Sequence, residues 1–243
     1  MLETKLEFDY VMTEQAHKAP VIVVAAGSSS RMQGANKQFL QLGAVPVIVR
    51  TLKAFENCEF ISNIILVARE EDLLAMQILC EQHNITKVCD IVGGGSNRQE
   101  SVLNGIKSLP KSCEKVLIHD GARPFVSGKI IVSVIKTLEN FSACVPAVKV
   151  KDTIKQIDKD GKVIKTVPRE DLVAIQTPQG VRCADYLKAL EGIQVGAFTD
   201  DAAIMEAAGY TVATVEGSYN NIKITTKEDI VLANAILSEE EEW

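Results

Sequence analysis

Two cations follow a loop built to hold an anion. The β-branched run Val21-Ile22-Val23-Val24 opens into Ala25-Ala26-Gly27-Ser28-Ser29-Ser30, and Arg31 and Lys37 come next. The run reads as a buried strand, and the small residues after it leave backbone N–H groups open to an anion. With Arg31 and Lys37 spaced along the same loop, the arrangement suits the phosphates of a nucleoside triphosphate. A tight strand-to-helix turn with surface charges would use the same residues, so this loop alone does not decide.

Three more clusters follow strand-like runs, the place where open α/β sheets bind ligands. Gly93-Gly94-Gly95-Ser96-Asn97-Arg98-Gln99-Glu100-Ser101 enters a helix, so its glycines permit close backbone approach and Ser101 is in reach of a base or ribose. Plain turn glycines would look the same. His119-Asp120-Gly121-Ala122-Arg123-Pro124 puts Asp120 at the carboxyl end of a buried run, placed for Mg²⁺ or a sugar hydroxyl. An Asp120–Arg123 scaffold ion pair is an equal reading, and His119 reads as support rather than as a base. In Asn221-Ile222-Lys223-Ile224, a lysine inside an apolar strand costs desolvation unless an anion or carboxylate meets it. A solvent-facing lysine is the alternative. Thr199-Asp200-Asp201 opens a helix, and its carboxylates suit the helix N-terminus whether or not they do more.

The whole chain limits what these clusters can serve. It has 243 residues and a formal net charge of −6, so no broad basic face exists for nucleic acid and a polyanion must be met by a local cluster of cations. Aromatic content of 5% also argues against base-stacking platforms. Gly27 is followed by three serines, position 47 is valine, and no Gly-Lys-Ser/Thr follows the loop. Dinucleotide-dependent hydride transfer and a P-loop ATPase are disfavoured on that basis. The six cysteines contain no C-x-x-C pair, which points to free thiols in a reducing compartment. The three histidines lack zinc spacing, so a metal here would be a hard cation such as Mg²⁺ carried on phosphates. Met1 to Lys18 is acidic without an apolar core, neither a signal peptide nor a membrane span, and is expected to be a disordered extension. Residues 239–243 read as a solvated acidic tail, and the expected location is the cytoplasm.

The elements that must position these residues alternate along the chain. Strands are expected at 20–26, 63–68, 87–92, 115–119, 143–148 and 211–215, and helices near 46–57, 70–82, 98–108, 128–139, 184–191, 200–208 and 226–237. Runs without polar alternation, such as Val21–Ala26 and Val116–Ile118, imply strands covered on both faces. The pattern is that of one α/β domain over 19–238, a Rossmann-like and mostly parallel sheet with helices on both faces. One section departs from it. Between Lys149 and Arg169, polar and β-branched residues alternate on either side of Lys159-Asp160-Gly161, which signals a hairpin. So polar a hairpin is not stable alone in water. Either it protrudes as an arm over 149–171 and packs on a partner chain, or it lies on its own sheet.

Together the clusters are more specific than any one of them. Ala25-Ala26-Gly27…Arg31-Met32…Lys37-Gln38, Gly94-Gly95…Arg98…Ser101-Val102 and His119-Asp120-Gly121-Ala122-Arg123-Pro124 are followed in order by four more motifs. These are Lys151-Asp152-Thr153, Gln176-Thr177-Pro178-Gln179, Thr199-Asp200-Asp201 and Asn221-Ile222-Lys223. Across residues 20–238 the series resembles the 2-C-methyl-D-erythritol 4-phosphate cytidylyltransferase family of the non-mevalonate isoprenoid pathway. The resemblance implies transfer of CMP from CTP to 2-C-methyl-D-erythritol 4-phosphate, with Mg²⁺ present, giving 4-CDP-2-C-methyl-D-erythritol and pyrophosphate.

It also implies roles for individual residues. Arg31 and Lys37 match the pair that stabilises charge on the triphosphate, and Arg169 and Lys223 complete the catalytic set. Ala25, Ala26, Gly27, Gly94, Ser101, Asp120 and Gly121 fall in CTP-binding segments, with Gly94 and Ser101 at the cytosine and Asp120 on the nucleotide or Mg²⁺ side. Lys223, Arg169, Thr153, Thr177 and Asp200 match the sugar-phosphate side. Thr153 and Arg169 sit on the arm, which in the family reaches the partner's active site, so a homodimer is implied. Ser29 stands where the family's loop usually has a second glycine, and Asn36 replaces a common proline before Lys37.

The implied chemistry agrees with the residue types. A phosphate monoester has a second pKa of about 6, is largely ionised near neutrality and needs no general base. A site rich in Arg and Lys and poor in histidine suits that nucleophile. The nearest alternative is a ribitol-5-phosphate cytidylyltransferase, which shares most of these motifs. His119–Arg123 and Val150-Lys151-Asp152-Thr153 look nearer the methylerythritol family. A regulatory protein that binds CTP without catalysis is a third reading, and the retained Arg31, Lys37, Arg169 and Lys223 argue against it.

Overall fold

The computed structural model describes residues 18–27, 37–191, 193 and 198–241. Arg31 and the remainder of loop 28–36 lie outside the described residues, as do the expected extension up to residue 17 and the last two residues of the expected tail. In chain order the strands are β1 (Ala19–Val24), β2 (Gln41–Leu42), β3 (Val45–Pro46), β4 (Ile61–Ala68), β5 (Val88–Gly93) and β6 (Lys115–Asp120). They continue with β7 (Ala143–Lys149), β8 (Ile154–Ile157), β9 (Val163–Val167), β10 (Val173–Ile175), β11 (Gln179–Arg182) and β12 (Val212–Glu216). The helices are α1 (Val47–Glu56), α2 (Leu73–Gln82), α3 (Arg98–Lys107), α4 (Gly128–Thr137), α5 (Cys183–Glu191), α6 (Asp201–Ala207) and α7 (Lys227–Glu241).

The two-residue period of a strand divides the core between two helical layers. Val21 and Val23 of β1 face the layer that holds Leu52 and Phe55 of α1, Met76 of α2 and Ile131 and Val134 of α4. Ile22 faces the opposite layer with Val102 of α3, Tyr186 of α5 and Met205 of α6. Both faces are therefore covered, which is why the strand sequences are apolar runs rather than alternating ones. β1 pairs in parallel with β4 on one side and β6 on the other, and β5 extends the sheet beyond β4. β12 pairs in parallel with β7, whereas β11 runs antiparallel to both β6 and β7. The sheet is thus mixed but mostly parallel, and the parallel strands β1, β4, β5 and β6 all end at one edge.

The expected strands and helices all appear within a few residues, and β2, β3, β10 and β11 are additions to them. The acidic run expected as a tail begins as the last turn of α7, which reaches Glu241. β8 and β9 form a separate two-stranded sheet, paired with each other and off the central sheet. Gly161, at φ +81°, makes the turn between them, and Ile157, Val163 and Ile164 are each more than half exposed. The hairpin is an arm, and the reading that laid it on its own sheet is not the one observed. Among the described residues no helix is long and apolar enough to cross a membrane.

Helix α3 must approach the sheet closely to bring its first turn to the strand ends. A Cβ on Gly105 would fall 2.6 Å from Ile22 Cγ2 and 3.1 Å from Val67 Cγ2, both fixed in the core. Gly105→Val is expected to destabilise the fold by about 2–3 kcal/mol through overpacking. A denaturant-unfolding midpoint equal to the wild type would contradict this close packing.

Candidate active site

Three chain segments that leave the sheet at its carboxyl edge wall a cavity of about 430 Å³. From β1 come Ala26 and Gly27, from the β5–α3 turn come Gly95, Ser96 and Asn97, and from the end of β6 comes Asp120. Lys37, Arg98, Ser101 and Lys223 complete the wall. The first turn of α3 is organised for this. The Asn97 side chain accepts from Glu100 N at 2.9 Å and caps the helix. The Ser101 hydroxyl accepts from Gly95 N at 3.1 Å and donates to the Asn97 carbonyl at 2.9 Å, which fixes the glycine turn. Neither Gly94 nor Gly95 has room for a side chain, since a Cβ would lie 2.3 Å from Ala26 Cβ at the first and 2.2 Å from Glu100 Cβ at the second.

Asp120 is the electrostatic centre. Its Oδ2 lies 2.9 Å from Lys223 Nζ and 3.4 Å from Arg123 Nε, and its Oδ1 lies 3.5 Å from Arg98 Nε. Burial alone would raise its pKa, but Lys223, Arg98 and Arg123 overcome that and hold the carboxyl well below the usual range. Arg98 is fixed from behind, because its Nη1 donates to Asp201 Oδ2 at 2.6 Å and the Tyr186 hydroxyl donates to Asp201 Oδ1 at 2.7 Å. Three cations thus meet one carboxylate at the cavity wall, with Asp201 buried behind it.

A smaller cavity of about 120 Å³ adjoins the first and shares Arg98, Asp120 and Lys223 with it. Arg123, Thr177 and Asp200 line only this second space. The structure therefore brings together Ala26, Gly27, Lys37, Ser101, Asp120, Lys223, Thr177 and Asp200. Ala25 and Gly121 are backbone supports beneath the wall: Ala25 N bonds Val67 O at 2.7 Å and Gly121 N bonds Val24 O at 2.9 Å. Asp200 also caps α6, accepting from Ala203 N at 3.0 Å, and takes a hydrogen bond from Gln179 Nε2 at 3.0 Å. Thr153 and Arg169 line neither cavity of their own chain, and Arg169 Nη1 donates to the Lys151 carbonyl out on the arm.

Lys223 differs from the sequence expectation in its setting. It lies in an irregular extended segment between β12 and α7, not in a strand. The alternation is real, since buried Ile224 docks its N–H on the Ala122 carbonyl at 2.8 Å while Lys223 faces the cavity. Of the two readings of Asp120, the ion pair with Arg123 is the one observed, and it stands in the wall of the smaller cavity. Sequence reasoning gave no role to Arg98, Tyr186 or Gln179. Arg98 was visible inside its motif; Tyr186 carried no local signal.

The fit for a metal is limited. Asp120 is the sole carboxylate among the described residues of the larger cavity, and its oxygens already face three cations. Among the described residues no group of three or more His, Cys, Asp or Glu side chains is gathered to hold a metal. A resident divalent site does not fit here.

His119 is not a base. The Asp120 N–H donates to Thr177 Oγ1 at 3.1 Å, the Thr177 hydroxyl donates to His119 Nδ1 at 3.0 Å, and His119 Nε2–H donates to the Arg123 carbonyl at 3.1 Å. Every group in that chain is satisfied with the imidazole neutral.

The open α/β sheet, the capped helix start and the paired cation-lined cavities define a nucleotidyltransferase. The chain belongs to the 2-C-methyl-D-erythritol 4-phosphate cytidylyltransferase (IspD) family, whose model matches residues 19–239. It is 46% identical over 226 residues to the enzyme of that name from Halalkalibacterium halodurans, covering 91% of this chain and 97% of that one. The corresponding Alkaliphilus oremlandii enzyme is 45% identical over 229 residues, with 92% and 97% covered. The solved 4-diphosphocytidyl-2C-methyl-D-erythritol synthase of Anaerococcus prevotii superposes with a TM-score of 0.80 at 34% identity, covering 93% of this chain and 99% of that one.

Burial pushes the His119 pKa down to about 3, so the folded protein refuses a proton that the unfolded chain accepts below about pH 6.5. Stability is expected to fall on acidification from pH 7 to 5, approaching about 1.4 kcal/mol per pH unit at the lower end. Lowered carboxylates such as Asp120 and Glu56 begin to add their own loss only near about pH 5, so the difference between wild type and a variant without the imidazole isolates the histidine. Urea unfolding of wild type and His119→Gln across the window checks it; equal slopes would contradict a buried neutral imidazole.

Proposed function

We propose that this chain joins CTP to 2-C-methyl-D-erythritol 4-phosphate, releasing pyrophosphate and 4-CDP-2-C-methyl-D-erythritol. The observation that carries the reading is the wall of Arg98, Asp120 and Lys223 held in common by two adjoining cavities. The larger takes the nucleotide against the first turn of α3, with Gly94 and Ser101 at the cytosine and Ala25, Ala26, Gly27 and Gly121 shaping the floor. Lys37 and Arg31 grip the triphosphate tail. The smaller takes the sugar phosphate, placed by Lys223, Arg123, Thr177 and Asp200.

The ionised phosphate oxygen attacks the α-phosphorus, a new P–O bond forms, and the α–β bond breaks to release pyrophosphate. No proton need be removed, because the attacking phosphate monoester is already largely ionised near neutrality. The barrier is the mutual repulsion of two polyanions, so fixed cations that neutralise and align them supply the catalysis. Mg²⁺ carried on the triphosphate would neutralise phosphate charge, and Asp120 is the carboxylate of the larger cavity's described lining that could face it.

Thr153 and Arg169 complete the site from a second subunit, since the arm carries them away from their own cavities and exposes apolar Ile157, Val163 and Ile164 for a dimer contact. Six free cysteines suit a reducing compartment, the cytoplasm.

A pyrophosphate-release assay with CTP tests the reaction. Turnover with 2-C-methyl-D-erythritol 4-phosphate well above that with ribitol 5-phosphate is expected, and the reverse order would overturn the substrate assignment. Lys37→Ala is expected to lower kcat by about 10²-fold or more with a smaller change in CTP affinity, because charge on the tail grows during reaction. Near-normal turnover would remove Lys37 from that role. Mixing inactive Arg169→Ala and Lys223→Ala chains is expected to restore roughly a quarter of wild-type activity, because half the pairs are mixed and each has one intact site. No recovery on mixing would place the arm in its own subunit's site.

A further inference from the structure

We propose that Cys113 and Cys183 form an oxidative modification site, in which a small hydroperoxide oxidises Cys113 and the pair closes as a reversible disulfide. The two thiols are brought together by strand pairing. Arg182 at the end of β11 is in register with Lys115 at the start of β6, and Cys183 N donates to the Glu114 carbonyl at 2.9 Å. That pairing sets the side chains abreast although they are 70 residues apart, and Cys183 Sγ–H donates to Cys113 Sγ at 3.3 Å. A disulfide bond is about 2.0 Å long, so the sulfurs must close by about 1.3 Å, within the reach of side-chain rotation.

Access distinguishes the two sulfurs. Cys113 is partly exposed and lines a cavity of about 300 Å³ with Pro20, Ile65, Cys89, Leu109 and Pro110, whereas Cys183 is buried. The hydrogen bond from Cys183 also draws the Cys113 thiol below its ordinary pKa, while Cys183 itself is pushed up. The buried Cys80 and Cys144 thiols are pushed up to about 11 by burial. Cys113 therefore has the character of the sulfur oxidised first, and Cys183 that of the resolving thiol. The cavity opens at the amino-terminal ends of the parallel strands, the opposite end of β6 from Asp120.

The steps balance. The Cys113 thiolate attacks hydrogen peroxide, an S–O bond forms, the O–O bond breaks, and hydroxide leaves with the electron pair. The Cys183 sulfur then attacks the Cys113 sulfenic acid; an S–S bond forms, the S–O bond breaks, and water leaves with the Cys183 proton. Two thiols are oxidised and one peroxide becomes two waters.

The test treats the folded full-length protein with hydrogen peroxide, blocks remaining thiols and maps peptides without reduction. The expected product is a cross-linked Cys113–Cys183 peptide, lighter by two hydrogens than the separate peptides and reverted by dithiothreitol. In Cys183→Ser, Cys113 is expected to accumulate as a sulfenic acid trapped by dimedone, whereas Cys89→Ser still forms the cross-link. Recovery of both Cys113 and Cys183 as blocked thiols would overturn the proposal. So would Cys113 linked to Cys89, or Cys113 oxidised to the sulfinic acid while Cys183 stays free.

Discussion

A buried carboxylate and the cations around it depend on each other at the end of β6. Asp120 is nearly excluded from water, so as an anion it needs compensation, and Lys223, Arg98 and Arg123 supply it. Without Asp120 those three positive groups would repel one another at close range. With it they stand together, and with Lys37 these cations outnumber Asp120, Asp200 and Asp201 around the cavities, in a chain whose formal net charge is −6. An acidic protein attracts phosphate esters only through such a local excess, and a fixed one adds no reorganisation cost when two of them meet.

The fold serves that cluster through strand direction. β1, β4, β5 and β6 run parallel, so the segments that follow β1, β5 and β6 meet at one edge although they lie far apart in sequence. Each cation is then fixed from behind. Arg98 leans on Asp201 and Tyr186, and Arg123 Nη1 donates to the Asn221 carbonyl at 2.8 Å. Lys223 is oriented by the docking of Ile224 on Ala122. The neutral chain through Thr177 and His119 ties the Asp120 backbone to the carbonyl of Arg123. A histidine beside a reactive site invites assignment as a base, and here it holds the strand end in place.

Most of the fold was legible because covering a strand on both faces leaves an unmistakable apolar run, as in Val21–Val24 and Val116–Ile118. The arm was legible from its alternation around Gly161, and its protrusion from the modest hydrophobicity of a hairpin that offers no apolar face to the main sheet. β11 was missed because Gln179–Arg182 is short and contains a glycine; its place between β6 and β7 makes it a strand. Lys223 signalled the cavity because it is charged between two isoleucines, Asp120 because it ends a buried apolar run, and Lys37 through its spacing after the small-residue loop. The support behind Arg98 was not legible, because Tyr186 and Asp201 meet it only through tertiary packing and look locally like ordinary helix residues.

The central claim is that one cation cluster serves two phosphate groups at once. A crystal structure of the protein with 2-C-methyl-D-erythritol 4-phosphate and a CTP analogue carrying a methylene between its α- and β-phosphorus tests it most directly. The account predicts the sugar phosphate in the smaller cavity beside Arg123 and Lys223, its oxygen facing the α-phosphorus across the Arg98–Asp120–Lys223 wall, with Lys37 on the triphosphate tail. A complex in which Lys223 and Lys37 both point away from every phosphate would contradict it.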